Sequence, residues 1–286
     1  MVVVYDFHSG DGLWLPEGEG QTFEQPWLLP TTPAEEAGLG IDIASFVRDY
    51  LGFTAEPAQL DLLLSTAKRG IVNCSRQFGK SMLGAAKAVH RCWTRPESLV
   101  LVVSPTLRQS GLVLGKARRL LAATPAWRKQ VRKDPDHALS LRFPNGSLMV
   151  GLPAKEANIR GFSAASMVII DEASRVPDDV YRAVRPMLAV GNGDLWLLST
   201  PLGRTGFFHE VFMHGGEAWT RFEVPATACP ERITPEFLAE ELAEMGAAFV
   251  KQEYFCQFID ARGTLFDRQL VEDAVREDVR PLPFGA

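Results

Sequence analysis

The chain has 286 residues, 46% of them hydrophobic and 23% charged, with a formal net charge of −5. That composition excludes a disordered chain, which lacks the apolar surface to offset its ordering entropy, and excludes a fibrous one. No uncharged apolar run reaches the roughly 18 residues of a membrane span, so an integral membrane protein is excluded too. No basic stretch precedes the short apolar start Val2-Val3-Val4, so no secretory leader is expected. Four widely spaced cysteines (Cys74, Cys92, Cys229 and Cys256) argue against a zinc knuckle or a disulfide framework and fit a reducing compartment. The net charge hides an asymmetry. Between Lys68 and Lys133 stand fifteen Lys or Arg and one acid, Glu97, a local net of +14, so the remainder carries −19. Such a distribution predicts a polyanion-facing surface on an acidic body; the plainer alternative is helices that carry solvated Lys and Arg.

In chain order, residues 1–40 are turn-rich, with Trp14, Trp27 and several prolines, and predict an irregular extension. Helical periodicity starts near Ile41 and runs to Leu51. A second helix starts at Pro57, which suits a first turn, and runs toward Lys68. The short β-run Ile71–Cys74 is followed by a loop and a helix from Lys80 to Trp93. The apolar strand Leu99–Val103 is followed by a helix from Arg108 to Ala123. Pro144-Asn145-Gly146 between two strand-like runs predicts a hairpin. Val168–Ile170, Leu195–Leu198 and a run ending at Val224 supply further strands, and Thr234–Phe255 reads as an acidic helical tail broken at Gly246. Continuous apolar strands alternating with helices predict an α/β fold with a mainly parallel central sheet flanked by helices.

Two segments carry chemistry. Cys74-Ser75-Arg76-Gln77-Phe78-Gly79-Lys80-Ser81 matches the phosphate-loop pattern G-x-x-x-x-G-K-[ST] except at its first position, where Cys74 replaces glycine. A tight loop opening a helix aims backbone N–H groups and the positive end of the helix dipole at phosphates. Lys80 would lie along the β- and γ-phosphates of ATP and the Ser81 hydroxyl would reach Mg2+. A lone Gly-Lys-Ser could be a chance turn; the strand before it and the helix after it favour the phosphate loop. About 90 residues on, the apolar strand Met167–Ile170 ends in the carboxylates Asp171 and Glu172. Asp171 would hold Mg2+ and Glu172 would activate the attacking water. Neighbouring strand positions diverge, which lets the two carboxylates take different duties. His209 and His214 have no third ligand partner in sequence and read as surface histidines.

With these residues in place, the chain resembles the ATPase domain of large terminase subunits, the DNA-packaging motors of tailed phages. The resemblance rests on Ser75–Ser81, on Val-Ile-Ile-Asp-Glu-Ala at 168–173, on Leu198-Ser199-Thr200-Pro201, and on Gly52-Phe53-Thr54-Ala55-Glu56-Pro57-Ala58-Gln59. It covers roughly residues 41 to 260 and implies a RecA-like P-loop NTPase of the ASCE class with a small lid subdomain formed by its flanks. It implies that Arg76 contacts or senses the γ-phosphate, that Gln59 recognises adenine, and that Thr200 couples hydrolysis to domain movement. The plain alternatives are a solvated Arg76, a surface Gln59 and a Thr200 that merely caps the turn before Pro201. The family also implies a trans-acting arginine from a neighbouring subunit, with Arg108, Arg118, Arg119 and Arg160 as candidates. Arg160 stands in a family-like segment, and Arg118 and Arg119 lie on the basic stretch, where DNA contact competes. Implied partners are double-stranded DNA bound without regard to sequence, a portal protein, a small terminase subunit and further copies in a ring, in the cytoplasm of an infected bacterium. Only about 28 residues follow Phe258, and Asp267 there makes no acidic cluster, so residues 259–286 are expected to be the start of a linker. No nuclease activity is expected in this chain, which would be a piece of a longer motor or one half of a split one. The alternatives are a helicase-like DNA-dependent ATPase and a nucleotide-gated assembly scaffold with little turnover; intact Glu172 argues against the second.

Overall fold

The computed structural model describes residues 3–5, 12–14, 42–123, 131–137, 139–155 and 159–260. The predicted linker from 261 onward lies outside them, as does the N-terminal extension except for six residues. Those six form a small antiparallel pair, β1 (Val3–Tyr5) with β2 (Gly12–Trp14), where an irregular lead was expected.

The body is a seven-stranded sheet in the order β5-β6-β4-β7-β8-β3-β9. Its strands are β3 (Arg69–Cys74), β4 (Leu99–Ser104), β5 (Ser140–Arg142), β6 (Leu148–Pro153), β7 (Met167–Asp171), β8 (Asp194–Ser199) and β9 (Thr220–Val224). All neighbouring pairs are parallel except the predicted hairpin β5–β6. β8 stands between β3, which leads into the phosphate loop, and β7, which ends in the acidic pair. The helices among the described residues are α1 (Ile43–Asp49), α2 (Pro57–Leu64), α3 (Lys80–Thr94), α4 (Leu107–Leu121), α5 (Asp178–Val184), α6 (Gly206–His214), α7 (Pro235–Met245) and α8 (Ala247–Phe255). α5 and α6 were not anticipated.

Local chemistry sets several boundaries. α1 starts later than its periodicity suggests because the Asp42 carboxylate caps the N–H groups of Ala44 and Ser45. α2 opens with Pro57 and a capping box, Gln59 accepting from the Glu56 N–H. It stops at Leu64, short of the expected Lys68. There the Lys87 ammonium donates to the carbonyls of Leu62, Leu63 and Ser65, each at 3.0 Å.

Strand alternation divides the core between the two faces of the sheet. Val72, Val102, Ile169, Trp196 and Leu198 pack with Phe46, Leu62, Leu83 and Val89 on one side. Ile71, Leu101, Val103, Val168, Ile170, Leu195 and Leu197 pack with Phe208 and Tyr181 on the other. α3 approaches closely through Gly84, where a Cβ would lie 2.8 Å from Leu198. A third, smaller cluster of Ala226, Ile233, Val250 and Tyr254 ties α8 to the segment after β9. His209 is buried against the Phe258 ring, correcting its expected surface position, whereas His214 is exposed.

Lys87 gives a stability prediction. Burial pushes its ammonium down to about 8, while the unfolded chain keeps the ordinary lysine value. Between those two pH values the unfolded state holds the extra proton, so stability attributable to Lys87 rises with pH. From pH 7.5 to 10, wild type should gain about 2 kcal/mol relative to Lys87→Met in urea unfolding. A gain no larger than the variant's would remove the buried-ammonium account.

Candidate nucleotide-binding and catalytic site

Parallel strands deliver their carboxyl ends to one rim of the sheet, and ligands of such sheets bind outside that rim. The phosphate loop, the acidic pair and Thr200 follow β3, β7 and β8 there, and the segment after β9 lies beside them.

The loop between β3 and α3 explains why the first glycine of the pattern can be missing. Cys74 is still in the strand, in register with Val224, and its thiol is fully buried and pushed up to about 12 by that burial. The left-handed backbone falls later, at Gln77 (φ +62) and Gly79 (φ +93), and Gly79 caps α3. The loop is anchored from outside: Ser75 N–H donates to the Val224 carbonyl and Arg76 N–H to that of Glu253, both at 2.9 Å. Gln59 is buried and donates to the Phe78 carbonyl at 2.8 Å, which excludes the surface reading and puts its amide against the loop. Arg232, unremarked in the sequence, spans the Glu56 carboxylate and the Gln77 carbonyl.

The two carboxylates meet different partners. Glu172 follows the strand with left-handed backbone (φ +54, ψ +43), which turns its side chain back toward Lys80. Lys80 Nζ is 3.0 Å from Glu172 Oε1, and Ser81 Oγ donates to Asp171 Oδ1 at 3.2 Å. Burial works against the Lys80 charge, but Cys74, Glu172 and Asp171 outweigh it and hold the ammonium above its ordinary value. Burial pushes the Asp171 carboxyl above the usual carboxylate range, with Lys80 opposing. A buried carboxylate beside a hydroxyl is a hard-oxygen donor pair of the kind that suits Mg2+ shared with phosphate oxygens. Among the described residues no cluster of three or more His, Cys, Asp or Glu side chains offers an alternative metal site.

A loop opening a helix, a charged lysine and two carboxylates thus meet at one sheet rim. The family described as "Terminase large subunit, T4likevirus-type, N-terminal" matches residues 71–273. The chain belongs to the terminase large subunit family. It is 30% identical over 226 residues to the large terminase subunit of Thermus virus P23-45, a match covering 73% of this chain and 46% of that protein. The chain therefore spans about half the length of the curated relatives it matches. Among solved structures, the large terminase ATPase domain of Thermus phage P74-26 superposes with a TM-score of 0.64 at 27% identity, covering 75% of this chain and 97% of that one. The large terminase of the thermophilic bacteriophage D6E in complex with ADP shares the fold at 14% identity, with a TM-score of 0.57 over 76% of this chain and 53% of its own. The sheet order, with one strand between the phosphate-loop strand and the acidic strand, is that of a P-loop NTPase.

The remaining positions of this terminase chain are scattered. Arg76 is exposed, as a solvated loop arginine would be, and also forms an ion pair with the buried Glu253 carboxylate of α8. Thr200 is buried and accepts from Arg175 Nη1 at 3.2 Å, which adds a side-chain partner to whatever it does for the turn. Arg108, Arg118, Arg119 and Arg160 are exposed. Arg118 and Arg119 line a groove of about 540 Å³ together with Arg132 and Lys133. Lys116, also unremarked in the sequence, lies one turn from Arg119; burial pushes its ammonium down while Asp171 draws it up. No helix among the described residues is long and apolar enough to cross a membrane.

Proposed function

We propose that this chain is the ATP-hydrolysing motor domain of a viral terminase that drives double-stranded DNA into a procapsid. The observation that carries the reading is the meeting of Lys80, Ser81, Asp171 and Glu172 at the mouth of the phosphate loop. The D6E relative, solved with ADP, supports nucleotide binding by this fold.

In this reading Lys80 and the loop amides of Gln77–Ser81 bind the β- and γ-phosphates, with Ser75 anchoring the loop, Arg76 leaving Glu253 to contact or sense the γ-phosphate, and Gln59 on the adenine side. Ser81 and Asp171 would hold Mg2+, which would neutralise phosphate charge. Glu172 accepts a proton from water as the water oxygen bonds to the γ-phosphorus; the bond to the β–γ bridging oxygen breaks and ADP leaves with that oxygen. Thr200 passes the change on to the flanking subdomain, and Arg119 or Arg160, both exposed, reaches the site of the next copy in a ring.

The groove of Arg118, Arg119, Arg132 and Lys133 grips DNA phosphates, which suits a motor that must pass any sequence. A portal protein and a small terminase subunit are the expected assembly partners, in the cytoplasm of the infected host. The domain runs from about 41 to 258, with the small C-terminal cluster as its lid.

The test is ATP turnover by the 286-residue chain with double-stranded DNA and Mg2+. EDTA should abolish it, and Asp171→Asn should raise the Mg2+ needed for half-maximal rate by about 10- to 100-fold. An unchanged Mg2+ requirement in that variant would remove Asp171 from the metal site.

A further inference from the structure

Arg175 stood in no motif of the sequence, yet it occupies the junction of the site. It ends the 3-10 turn Ala173–Arg175 that Glu172 caps, and its own N–H donates to the Glu172 carbonyl at 2.9 Å. Besides donating to its neighbour Ser174, its guanidinium reaches in three directions. Nη1 donates to Glu172 Oε2 at 3.2 Å and to Thr200 Oγ1 at 3.2 Å. Nη2 lies 3.7 Å from Oε1 of the buried Glu253, whose other oxygen holds Arg76. Glu172 is thus shared between two cations, Lys80 on Oε1 and Arg175 on Oε2.

We propose that Arg175 is the positioning residue for Glu172, fixing the carboxylate that activates water and tying its aim to Thr200 and to α8. The inference rests on the ATPase reading above.

The two cations on Glu172 cannot have the same role. Phosphates bound in the loop compete with Glu172 for the Lys80 ammonium, because one compact cation cannot satisfy both at short range. Arg175 reaches Glu172 from the side of β8 and α8 and faces no such competition, so it keeps Oε2 when Lys80 turns to phosphate. Oε1 is then left free to accept the proton from water. A planar guanidinium suits this duty better than an ammonium, since its fixed fork can bridge a carboxylate, a hydroxyl and a second carboxylate at once. The left-handed backbone at Glu172 gives the same reason from the other side. A non-glycine residue in that conformation persists only where its surroundings over-determine it, and the turn closed by Arg175 is what does so here. Glu253 adds a link to distance: a shift of α8 displaces the carboxylate that helps hold Arg175, and so moves Glu172 without touching it.

The experiment measures single-turnover ATP hydrolysis and nucleotide affinity for wild type, Arg175→Ala, Arg175→Lys, Glu172→Gln and the double variant Glu172→Gln/Arg175→Ala, all with DNA and Mg2+. Arg175→Ala should slow hydrolysis by about 10- to 100-fold while nucleotide affinity stays within about threefold. Arg175→Lys should recover part of the rate through its single contact. In the Glu172→Gln background, removing Arg175 should cost less than about twofold, because the group it positions is already gone.

A merely structural arginine would give a different pattern: loss in nucleotide affinity, or the full loss repeated in the double variant. Either result overturns the proposal, as does an Arg175→Ala chain that hydrolyses ATP at the wild-type rate. A wild-type chain that binds nucleotide without hydrolysing it overturns the ATPase reading and this inference with it. Should Arg175→Ala fail to fold, Arg175→Gln removes the charge while keeping a longer polar side chain, and the same double-variant comparison decides.

Discussion

Glu172→Gln should reduce ATP turnover by at least about a hundredfold, the usual size of a general-base contribution, while nucleotide binding survives. The direction of the binding change follows from the geometry. Lys80 Nζ lies 3.0 Å from Glu172 Oε1, and that carboxylate is only partly shielded from water. A partly exposed ion pair is worth up to about 1 kcal/mol. Neutralising Glu172 frees the ammonium for phosphate, so nucleotide should bind up to about fivefold more tightly in the variant. Turnover and affinity therefore move in opposite senses, which a misfolded variant would not show. Rapid-quench hydrolysis and fluorescent-nucleotide titration on the same preparations provide the check. Equal turnover in both proteins would remove Glu172 from the chemistry. Weaker binding in the variant would show that the Lys80–Glu172 pair helps shape the phosphate loop rather than competing with phosphate.

The parts of this site legible in the sequence are those whose chemistry is local. Gly79-Lys80-Ser81 needs only a preceding strand and a following helix, and both signals lie within twenty residues of it. The acidic strand is equally local, the four buried apolar residues Met167–Ile170 and then Asp171 and Glu172. Central strands β3, β4, β7 and β8 were visible because strands covered on both faces carry continuous apolar runs. What escaped notice was non-local or conformational. Arg175 and Glu253 are 78 positions apart and meet only because α8 returns to the rim beside the phosphate loop. Glu172 leaves the strand through left-handed backbone, which no alternation rule foresees, and its carboxylate meets Lys80 while that of Asp171 meets Ser81. α6 went unread because Phe207, Phe208 and Val211 are buried along with His209, so nine residues show little polar contrast. The same burial turned His209 from an expected surface residue into one packed against Phe258. For Gln59 the sequence left adenine recognition and an ordinary surface glutamine both open; as the third residue of α2 it is buried, completes the capping box and reaches the phosphate loop.

Trp196→Ala should cost about 3–5 kcal/mol of folding stability, the range for removing a buried aromatic side chain. Trp196 is 1% exposed on β8. Its ring lies so close to Gly70 of the neighbouring strand that a Cβ there would come within 2.4 Å of it. The Lys87 ammonium sits 4.2 Å from the ring centroid, so truncation also strips a buried cation of its aromatic partner. Against a total stability of about 5–15 kcal/mol, the loss is at least about a fifth of the whole. Trp196→Phe, which keeps a ring against Gly70 and Lys87, should cost less than half as much, and urea unfolding followed by circular dichroism separates the two. The expected functional consequence is the reverse of that for Glu172→Gln. β8 carries Thr200 and separates the phosphate-loop strand from the acidic strand, yet Trp196 faces the α3 side of the sheet and touches none of the reacting groups. Well below its unfolding midpoint, Trp196→Ala should therefore keep near wild-type turnover per folded molecule and lose it only as the folded fraction falls. A variant that stays fully folded but hydrolyses ATP much more slowly would mean that the packing under β8 sets the geometry at the rim, and that stability and catalysis in this domain are not separable along that strand.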